Sequence, residues 1–503
     1  MTSKKPFPFY PFLLAIFPIF SLIATNAFET QFLVVIRPLV IVIAFCGVLF
    51  TAFYFIFRKN EHKAALVTGA AMVLFFTYGH IFNLISTTGF LENFLGRHRY
   101  ITVIFIIIWT LILVLSVFRD IKPELSKLLN IFGIILLVLP VIQIGWFYVQ
   151  EAIARQQINN GQTSIDSENF GRNYSPDVYY IILDSYARPD ALMEDYGMDL
   201  SGFVSEMESM GFYYASESHS NYDETFTSIT SALNLNLIGP YISSLGIEPG
   251  SAQYQELLKK NEVRSLLESW GYQTIAFSTG YRWSEWNDAH IYYETRSTNP
   301  LGAMTPFENL LFKNTIIYPY RGYYQDFIPK TVHPEYGIAG VTHSIHIQTQ
   351  LNILDTLPEI PQNPNPTFTF AHILIPHPPY VFAADGGILQ DPGYFSGDKA
   401  GAVDDFYDLD GYANQVEFIN QRITTICRAI LDNSEIPPII LIQGDHGWKN
   451  GNRQMILNMY HFPDQDYSEL YHSITPVNSF RIILDKYYGM DFPLVDYQVL
   501  NNQ

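Results

Sequence analysis

Apolar residues divide the chain near residue 150. Before that point, apolar runs alternate with short polar segments, and each run approaches the ~20 residues that a helix needs to cross the hydrocarbon core of a membrane. The runs lie at residues 8–25, 36–57, 64–85, 100–118 and 129–149. This pattern predicts an all-α region of about five transmembrane helices over residues 1–150.

The charges between these runs predict their orientation. The first run follows Lys4 and Lys5 like a signal peptide, but the spans after it indicate a retained anchor. One set of loops carries most of the cations: Lys4, Lys5, Arg58, Lys59, Lys63, Arg119, Lys122 and Lys127. The opposite set carries Arg37, Arg97 and Arg99. Because cations concentrate in cytoplasmic loops, the N-terminus is predicted to be cytoplasmic and everything after residue 150 extracytoplasmic.

After residue 150 the pattern changes. Residues 151–175 are polar and lack periodicity, which predicts a juxtamembrane linker. From residue 176 onward, helical patterns alternate with apolar runs of strand length. The helical patterns lie at 201–211, 256–270, 343–357 and 411–432, and the apolar runs lie at 178–183 and within YQTIAFS, PTFTFAHILI and PPIILIQG. Residues 176–503 are therefore predicted to form an α/β domain with a mostly parallel sheet flanked by helices.

Composition narrows the classes of partner. The 503 residues carry a formal net charge of −19, mostly after residue 150, which argues against a nucleic-acid partner. Cys46 and Cys427 lie far apart in the sequence, so a disulfide framework is not expected.

Polar residues stand where two of the predicted strands end. Asp184 directly follows the first strand, and Asp445-His446 follows the last, between Gly444 and Gly447. Ligands of such sheets gather at the carboxyl ends of the strands, and carboxylates with imidazole suit a divalent metal such as zinc or manganese. Alone, the Asp-His pair is more typical of a turn or a helix cap than of a metal site. The glycines are predicted to let the backbone turn sharply.

Two further segments add candidate chemistry. In SHSNYDETFTSITSALN, residues 218–234, hydroxyls crowd together before a helical pattern, where helix N–H groups favour an anion. A metal-bound hydroxyl there can attack phosphorus or sulfur; an ordinary N-cap cluster is the alternative. In AHILIPHPPY, His377 lies between prolines just after a strand, whereas His372 within the strand is typical of a core histidine.

Taken in order, DSYARPD, NYDETFTSITSALN, PHPPY and GDHG resemble the alkaline phosphatase superfamily, which includes sulfatases and nucleotide pyrophosphatases. The multi-span anchor with an external domain resembles lipoteichoic acid synthases and the phosphoethanolamine transferases of lipid A. The motif order covers the region from about residue 176 to about 490, and the anchor is similar by architecture alone.

The resemblance implies roles for individual residues. Metal-ligand roles fall on Asp184, Thr225, Asp445 and His446. Thr225 matches the nucleophile, which takes the phosphoryl or sulfuryl group covalently before water or an acceptor alcohol removes it. Ser228 stands where related enzymes place a serine and is predicted to bind substrate. Both Thr227 and Ser228 stay rivals of Thr225 as nucleophile.

Substrate contacts are also implied. His377 matches a catalytic histidine that contacts the substrate, and Arg188 and Arg453 are candidates for clamping an anion, with surface roles as the alternative. The chain departs from the superfamily in three ways. It has no Cys-x-Pro-x-Arg, which favours a phosphoryl over a sulfuryl substrate, and Asp184 stands where the synthases have glutamate. The histidine nearest after Asp-His-Gly is His461, in a strand pattern, so one ion is expected and a second is uncertain.

The sequence thus predicts a membrane-anchored, metal-dependent phosphotransferase or phosphodiesterase that acts on a phospholipid or envelope-glycan headgroup through a phospho-threonine intermediate. A sulfatase-type ester hydrolase and a non-catalytic envelope binding or regulatory module on the same fold are the alternatives. In the aromatic loop 281–330, Trp283 and Trp286 can form a headgroup platform or pack in the core.

In the third span, Tyr78, His80 and Asn83 lie near the predicted outer end. Polar groups at that depth can mark a substrate path or bond neighbouring helices to each other.

Overall fold

A computed structural model describes most of the chain. It covers residues 6–28, 30, 32–86, 97–161, 175–295, 306–320, 337–389, 409–448 and 451–500, with the backbone alone for 155–161, 306, 309 and 337–345. Most of the predicted linker, residues 162–174, and much of the aromatic loop, residues 296–305 and 321–330, lie outside the described residues.

The described helices, in chain order, are α1 Tyr10–Thr25, α2 Ile36–Ile56, α3 Glu61–Ser86, α4 His98–Phe118, α5 Pro123–Gly161, α6 Pro189–Tyr196, α7 Ser201–Ser209, α8 Thr225–Leu233, α9 Ile238–Leu245, α10 Ala252–Lys259, α11 Glu262–Ser269, α12 Pro306–Lys313, α13 Gly337–Thr356, α14 Leu409–Asn433 and α15 Pro476–Tyr488. The described strands are β1 Val178–Leu183, β2 Tyr213–Tyr214, β3 Gln273–Phe277, β4 Ile291–Tyr293, β5 Thr367–Ile373, β6 Ile439–Gly444 and β7 Asn458–His461.

The strands form one sheet in the order β2-β7-β6-β1-β5-β3-β4. The neighbours from β6 to β4 run parallel, and β7 and β2 add antiparallel pairs at one edge. All six residues of β1 are buried, as are those of β6, because helices cover both faces of the central strands. The predicted α/β domain with a mostly parallel sheet is confirmed.

Aromatic packing fixes one face of this sheet. The ring centroids of Tyr180 on β1 and Phe480 on α15 are 5.0 Å apart, and Trp286 stacks on Phe370 of β5 at 4.3 Å. Trp286 is fully buried, so its side chain belongs to the core rather than to an exposed platform.

One predicted helix is divided. The pattern at 256–270 suggested a single helix, but the chain breaks at Lys260 and Asn261 into α10 and α11. The Asn261 side chain accepts a hydrogen bond from the backbone N–H of Arg264 at 2.8 Å and donates to the carbonyl of Leu258 at 2.8 Å. Asn261 therefore caps the new helix locally, which apolar periodicity alone does not reveal.

The predicted spans match described helices. Four helical segments are long and apolar enough to cross a membrane: Phe32–Ile56, Glu61–Ser86, His98–Phe118 and Pro123–Ala154. The first predicted span is the shorter apolar helix Tyr10–Thr25. The N-terminal helical region is thus confirmed, with four long spans and one helix of 16 residues.

The residues group into two compact units. One contains Met1–Val149 with Leu301–Thr342, and the other contains Gln150–Pro300 with His343–Gln503. The sequence prediction placed all of residues 176–503 in one domain, whereas Leu301–Thr342 group with the apolar helices.

Within the first unit, α12 and the residues after it pack on the apolar helices. Arg37 forms a bidentate ion pair with Glu308, and the N–H of Ile316 donates to the carbonyl of Phe75 at 3.0 Å. Arg37 is one of the few cations assigned to the outer loops, and its partner Glu308 follows the predicted exit of the chain from the membrane. The orientation of these helices across the membrane stays a prediction.

Tyr78 bonds two apolar helices together. Its hydroxyl lies 3.2 Å from His98 Nδ1 and 3.0 Å from Thr102 Oγ1, both on α4. The inter-helix alternative therefore holds for Tyr78, while the side chains of His80 and Asn83 are exposed.

Candidate functional site

The register of the sheet brings the predicted site residues together. Leu183, the last residue of β1, pairs with Gly444 of β6 on one side and with Ile373 of β5 on the other. Asp184 and Asp445, each the next residue along, therefore leave the sheet side by side at its carboxyl edge.

Asp184, Asp445 and His446 form a compact buried cluster. One ligand atom from each lies within 4.8 Å of the others. His446 Nε2 is 3.5 Å from Asp445 Oδ2 and 3.9 Å from Asp184 Oδ1. Both of these carboxylate oxygens are buried and have no hydrogen-bond partner within the described part of the chain. Buried carboxylate oxygens are costly without a partner, so this cluster has the character of a cation site.

The geometry suits a metal of the zinc type. Ligand atoms held about 2.1 Å from an ion at tetrahedral angles lie about 3.4 Å from one another. The separations that His446 Nε2 makes with the two carboxylate oxygens, 3.5 and 3.9 Å, and with Thr225 Oγ1, 3.3 Å, are close to this value. Two carboxylate oxygens, one imidazole nitrogen and one hydroxyl form a donor set that zinc accepts, and manganese also accepts the oxygens.

Thr225 is the first residue of α8, and its hydroxyl faces the cluster. Its rivals point elsewhere. Thr227 Oγ1 donates to the carbonyl of Glu224 at 2.9 Å, and the buried Ser228 Oγ lies 3.1 Å from Ser220 Oγ. Among the three hydroxyls, that of Thr225 is the one in contact with His446.

The hydrogen bonds of His446 define its tautomer. Nδ1 lies 2.9 Å from the carbonyl oxygen of Gly447 and 3.3 Å from Ser185 Oγ. Because a carbonyl only accepts, Nδ1 carries the proton in this arrangement, and the Nε2 lone pair faces Asp184, Asp445 and Thr225.

Asp184 is surrounded by imidazoles. His372 Nε2 lies 3.1 Å from Asp184 Oδ2, and the backbone N–H of His377 donates to the Asp184 carbonyl at 3.0 Å. Burial alone would raise the pKa of the Asp184 carboxyl, but the electrostatic effect of His377 and the hydrogen bond and electrostatic effect of His372 hold the pKa below its usual range. The carboxylate is therefore maintained in its ionised, ligand-competent form.

His372 thus has a role that its place in the sequence concealed. It was interpreted as a core histidine, and its ring is indeed only 1% exposed. Its register partner is Ile182, two residues before Asp184, so its ring reaches the Asp184 carboxylate from the neighbouring strand. Only the parallel pairing of β5 with β1 indicates this role, and a single sequence does not reveal that pairing.

Ser185 is a second residue that the sequence did not indicate. It adopts a left-handed conformation with φ of 63°, and its N–H donates to Asp445 Oδ1 at 2.8 Å. The hydroxyl of Tyr412, on α14, donates to the Ser185 carbonyl at 2.9 Å. The turn after β1 therefore orients a carboxylate on the neighbouring strand, and α14 holds the turn.

The chain bends at Asp445 and His446, as predicted, and Gly444 and Gly447 allow this through close approach rather than through a positive φ. A Cβ at Gly444 would lie 2.4 Å from the carbonyl oxygen of Tyr186, and one at Gly447 would lie 2.6 Å from that of Asn452. The missing side chains let neighbouring backbone segments pack directly against the Asp445-His446 turn.

The predicted anion clamps have protein partners. Arg188 is buried and makes a bidentate ion pair with Asp190, at 2.6 and 2.8 Å, and a bond to the Ser218 carbonyl. Arg453 is half-buried and donates to the carbonyl of Asp223. Arg188 is thus engaged in structural contacts, while Arg453 supports the loop that leads to Thr225. A contact of either with substrate stays a prediction.

His461 does not join the cluster. It pairs with Ile440, near the start of β6, and its Nδ1 bonds the carbonyl of Pro438 at 2.9 Å. Asp445 lies five residue steps after Ile440, about 16 Å away at 3.3 Å per step. His461 therefore cannot complete a second metal site beside Asp445.

Trp283 lies at the border of the site, unlike Trp286. Its ring centroid is 5.9 Å from that of His372 and 5.7 Å from that of Phe226, the residue after Thr225. Trp283 is half-buried and contacts both His372, which bonds Asp184, and the start of α8.

Comparison with known proteins gave matches among solved structures. No protein-family model matches the chain, and no curated protein matches it. The zinc complex of the periplasmic domain of EptC from Escherichia coli is 12% identical, with a TM-score of 0.38, covering 64% of this chain and 83% of that one.

Two further structures resemble the chain. The integral membrane lipooligosaccharide phosphoethanolamine transferase A from Neisseria meningitidis is 11% identical with a TM-score of 0.35, covering 96% of this chain and 89% of that one. The lipoteichoic acid synthase LtaP from Listeria monocytogenes is 12% identical with a TM-score of 0.39, covering 69% and 80%. These are the kinds of protein that the multi-span anchor with an external domain resembles in the sequence. Because identities and TM-scores are low, the function proposed below depends on the geometry of the site.

Proposed function

We propose that the protein is a membrane-bound phosphotransferase or phosphodiesterase in which Thr225 accepts a phosphoryl group from a phosphate-containing lipid or envelope headgroup. The observation that carries the proposal is the approach of Thr225 Oγ1 to His446 Nε2, at 3.3 Å, beside two buried carboxylate oxygens without partners. A hydroxyl at the first residue of a helix, facing a cation site, is the arrangement of an activated nucleophile.

A divalent metal, with zinc the first choice, would be held by Asp184 Oδ1, Asp445 Oδ2, His446 Nε2 and Thr225 Oγ1. When bound, such an ion lowers the pKa of a coordinated hydroxyl and offsets negative charge on phosphoryl oxygens. His372 and Ser185 orient the two carboxylates from outside this ligand set.

The chain itself binds and positions the phosphoryl group. The backbone N–H groups at the start of a helix point toward an anion bound there, and the helix dipole favours its negative charge. Thr225 is the first residue of α8, so a phosphate that reaches its hydroxyl also reaches these donors.

The reaction proceeds in two displacements. The Thr225 Oγ1–phosphorus bond forms as the bond from phosphorus to the alcohol of the donor breaks, and the departing alcohol takes up a proton. We assign this proton delivery to His377, which is half-buried and whose backbone N–H donates to the Asp184 carbonyl at 3.0 Å. An acceptor alcohol or water then attacks phosphorus and returns a proton to His377, and the Thr225 oxygen departs in the deprotonated form in which it attacked.

The positions of the two cysteines favour a phosphate over a sulfate substrate. Sulfatase-type catalysis in the resembling superfamily uses a modified cysteine, and the cysteines here are buried in α2 and α14. The apolar helices at the N-terminus keep the enzyme in a membrane, where lipid headgroups are the abundant phosphodiesters. A phospholipid donor is therefore the substrate class that we propose.

Turnover by variants of the full-length protein in detergent tests the proposal. The donor is a fluorescent phosphatidylethanolamine or phosphatidylglycerol, and release of labelled diacylglycerol is measured with zinc present. We expect Thr225→Ala to lose activity by at least about 10³-fold, because the covalent step is removed. Thr227→Ala, two residues later, is the matched control and should retain activity, since its hydroxyl bonds the Glu224 carbonyl.

Equal activity of Thr225→Ala and wild type would overturn the proposed nucleophile. Stoichiometric zinc without turnover of any phosphodiester or sulfate ester would favour the non-catalytic binding module instead. Release of free headgroup phosphate in water, unaffected by an added glycolipid acceptor, would identify a hydrolase rather than a transferase.

A further inference from the structure

The last part of α5 contacts the loop that follows β3. α5 runs without interruption from Pro123 to Gly161, and its residues from Gln150 onward belong to the same compact unit as the sheet. Within that unit, Glu151 accepts two hydrogen bonds from Arg282 Nη2, at 2.8 and 2.7 Å. Arg282 Nη1 also donates to the side chain of Gln255 on α10 at 3.1 Å.

This ion pair is deeply buried. The side chains of Arg282 and Glu151 are 8% and 7% exposed. A buried ion pair adds little net stability compared with apolar packing, but removal of one partner leaves an unpaired charge that the interior does not tolerate. Loss of the Glu151 carboxylate would remove two of the hydrogen bonds that hold the Arg282 guanidinium, and would loosen the segment that carries it.

That segment is the loop after β3, at the carboxyl edge of the sheet. Its shape is set by internal bonds: Thr279 Oγ1 lies 2.6 Å from Ser284 Oγ, and the N–H of Gly280 donates to Glu285 Oε1 at 3.1 Å. Arg282 and Ser284 flank Trp283 in a short 3-10 turn. These bonds hold the loop in one shape, and the bonds from Arg282 to Glu151 and Gln255 attach it to α5 and α10.

Trp283 connects this loop to the site from two sides. Its ring packs against the ring of His372, whose Nε2 bonds the Asp184 carboxylate, and against Phe226, which follows Thr225. We infer that Glu151 is a positioning residue of the metal site, acting through Arg282 and Trp283 to hold His372 and the start of α8 in their productive arrangement. This inference adds to the proposed function a structural dependence of the site on the membrane-proximal helix.

The test uses the full-length protein in detergent and measures Zn²⁺ affinity by chelator competition, with turnover as a second readout. In Glu151→Gln we expect zinc affinity to fall about tenfold, the lower end of what residues outside a metal's ligand set contribute. We expect kcat to fall with it while KM for the phospholipid stays the same, since no substrate contact is removed. Arg282→Glu should lower zinc affinity and kcat in the same way.

Restoration distinguishes positioning from a general loss of fold. The exchanged pair Glu151→Arg with Arg282→Glu should return zinc affinity to within about threefold of wild type, because a matched ion pair is again present. Glu268→Gln is the matched control. Glu268 pairs with the buried Arg264 but contacts Thr274 near the start of β3, away from the site. It should lower stability without changing zinc affinity.

Wild-type zinc affinity and kcat in Glu151→Gln would overturn the inference, as would an exchanged pair no better than the single variants. If Glu151→Gln cannot be purified, Trp283→Ala tests the same proposal, because it removes the ring that joins the loop to His372 and Phe226. Unchanged zinc affinity in Trp283→Ala would also overturn the inference. The wild-type protein could show no turnover while zinc affinity falls in Glu151→Gln and returns in the exchanged pair. That result would refute the proposed function but would leave this inference intact.

Discussion

Replacement of His372 by alanine separates a metal-site histidine from a core histidine. The His372 ring is 1% exposed, and its Nε2 lies 3.1 Å from Asp184 Oδ2. Hydrogen bonds to charged groups contribute about 1.5–3 kcal/mol, so we expect at least this loss of stability, to which the vacated ring volume adds. Because Asp184 then loses its orienting donor, zinc affinity should fall about 10–100-fold, or about 1.4–2.8 kcal/mol.

The assay combines chelator competition for Zn²⁺ with thermal unfolding of the metal-free protein. His461→Ala is the matched control, since His461 is also buried and hydrogen-bonded but lies near the opposite end of the sheet. It should lose stability as His372→Ala does and bind zinc as wild type does.

Two results would refute this reasoning. Wild-type zinc affinity in His372→Ala would mean that Asp184 needs no orienting partner. Equal loss of zinc affinity in both variants would mean that the effect follows from general destabilisation rather than from the bond to Asp184.

Two further predictions follow from other parts of the sheet domain. Gly444→Ala should lower the free energy of unfolding by about 1–3 kcal/mol, because its Cβ would meet the Tyr186 backbone oxygen at 2.4 Å. Chemical denaturation measures this change, and an unchanged free energy of unfolding would contradict the close approach. Burial would raise the pKa of Asp288, but Arg264 and Lys260 lower it to about 2, below its ordinary value of 3.8. The stabilisation is therefore present above about pH 4 and lost as the pH falls toward 2, so Asp288→Asn should lower Tm at neutral pH with a difference that shrinks on acidification. An equal difference at every pH would be inconsistent with this ion pair.

The sequence predicted those parts of the fold that local pattern determines. The continuous apolar run of β1 and its abrupt end at Asp184 indicated a buried strand that delivers a ligand, and β6 repeated the pattern with Asp445. Parallel strands share a carboxyl edge, so the proximity of these residues followed from the fold class. The apolar helices were equally visible, since length and hydropathy are local properties.

What the sequence did not predict depends on pairing between distant segments. The bond from His372 to Asp184 requires the register of β5 on β1, and the bond from Ser185 to Asp445 requires β1 beside β6. The choice among Thr225, Thr227 and Ser228 was open because position along a helix does not state which hydroxyl faces the cluster. The grouping of α12 with the apolar helices rests on Arg37 and Glu308, which are 271 residues apart.

The central claim is that Thr225 carries the phosphoryl group between donor and acceptor, and trapping that adduct tests it most directly. Full-length protein would be incubated with zinc and candidate phospholipids, quenched in acid, digested and analysed by mass spectrometry. We predict a phosphoryl-linked headgroup on Thr225 with a matching phospholipid, absent in Thr225→Ala and retained in Thr227→Ala. An active protein with no adduct on Thr225, or with an adduct on Thr227 or Ser228, would contradict the account.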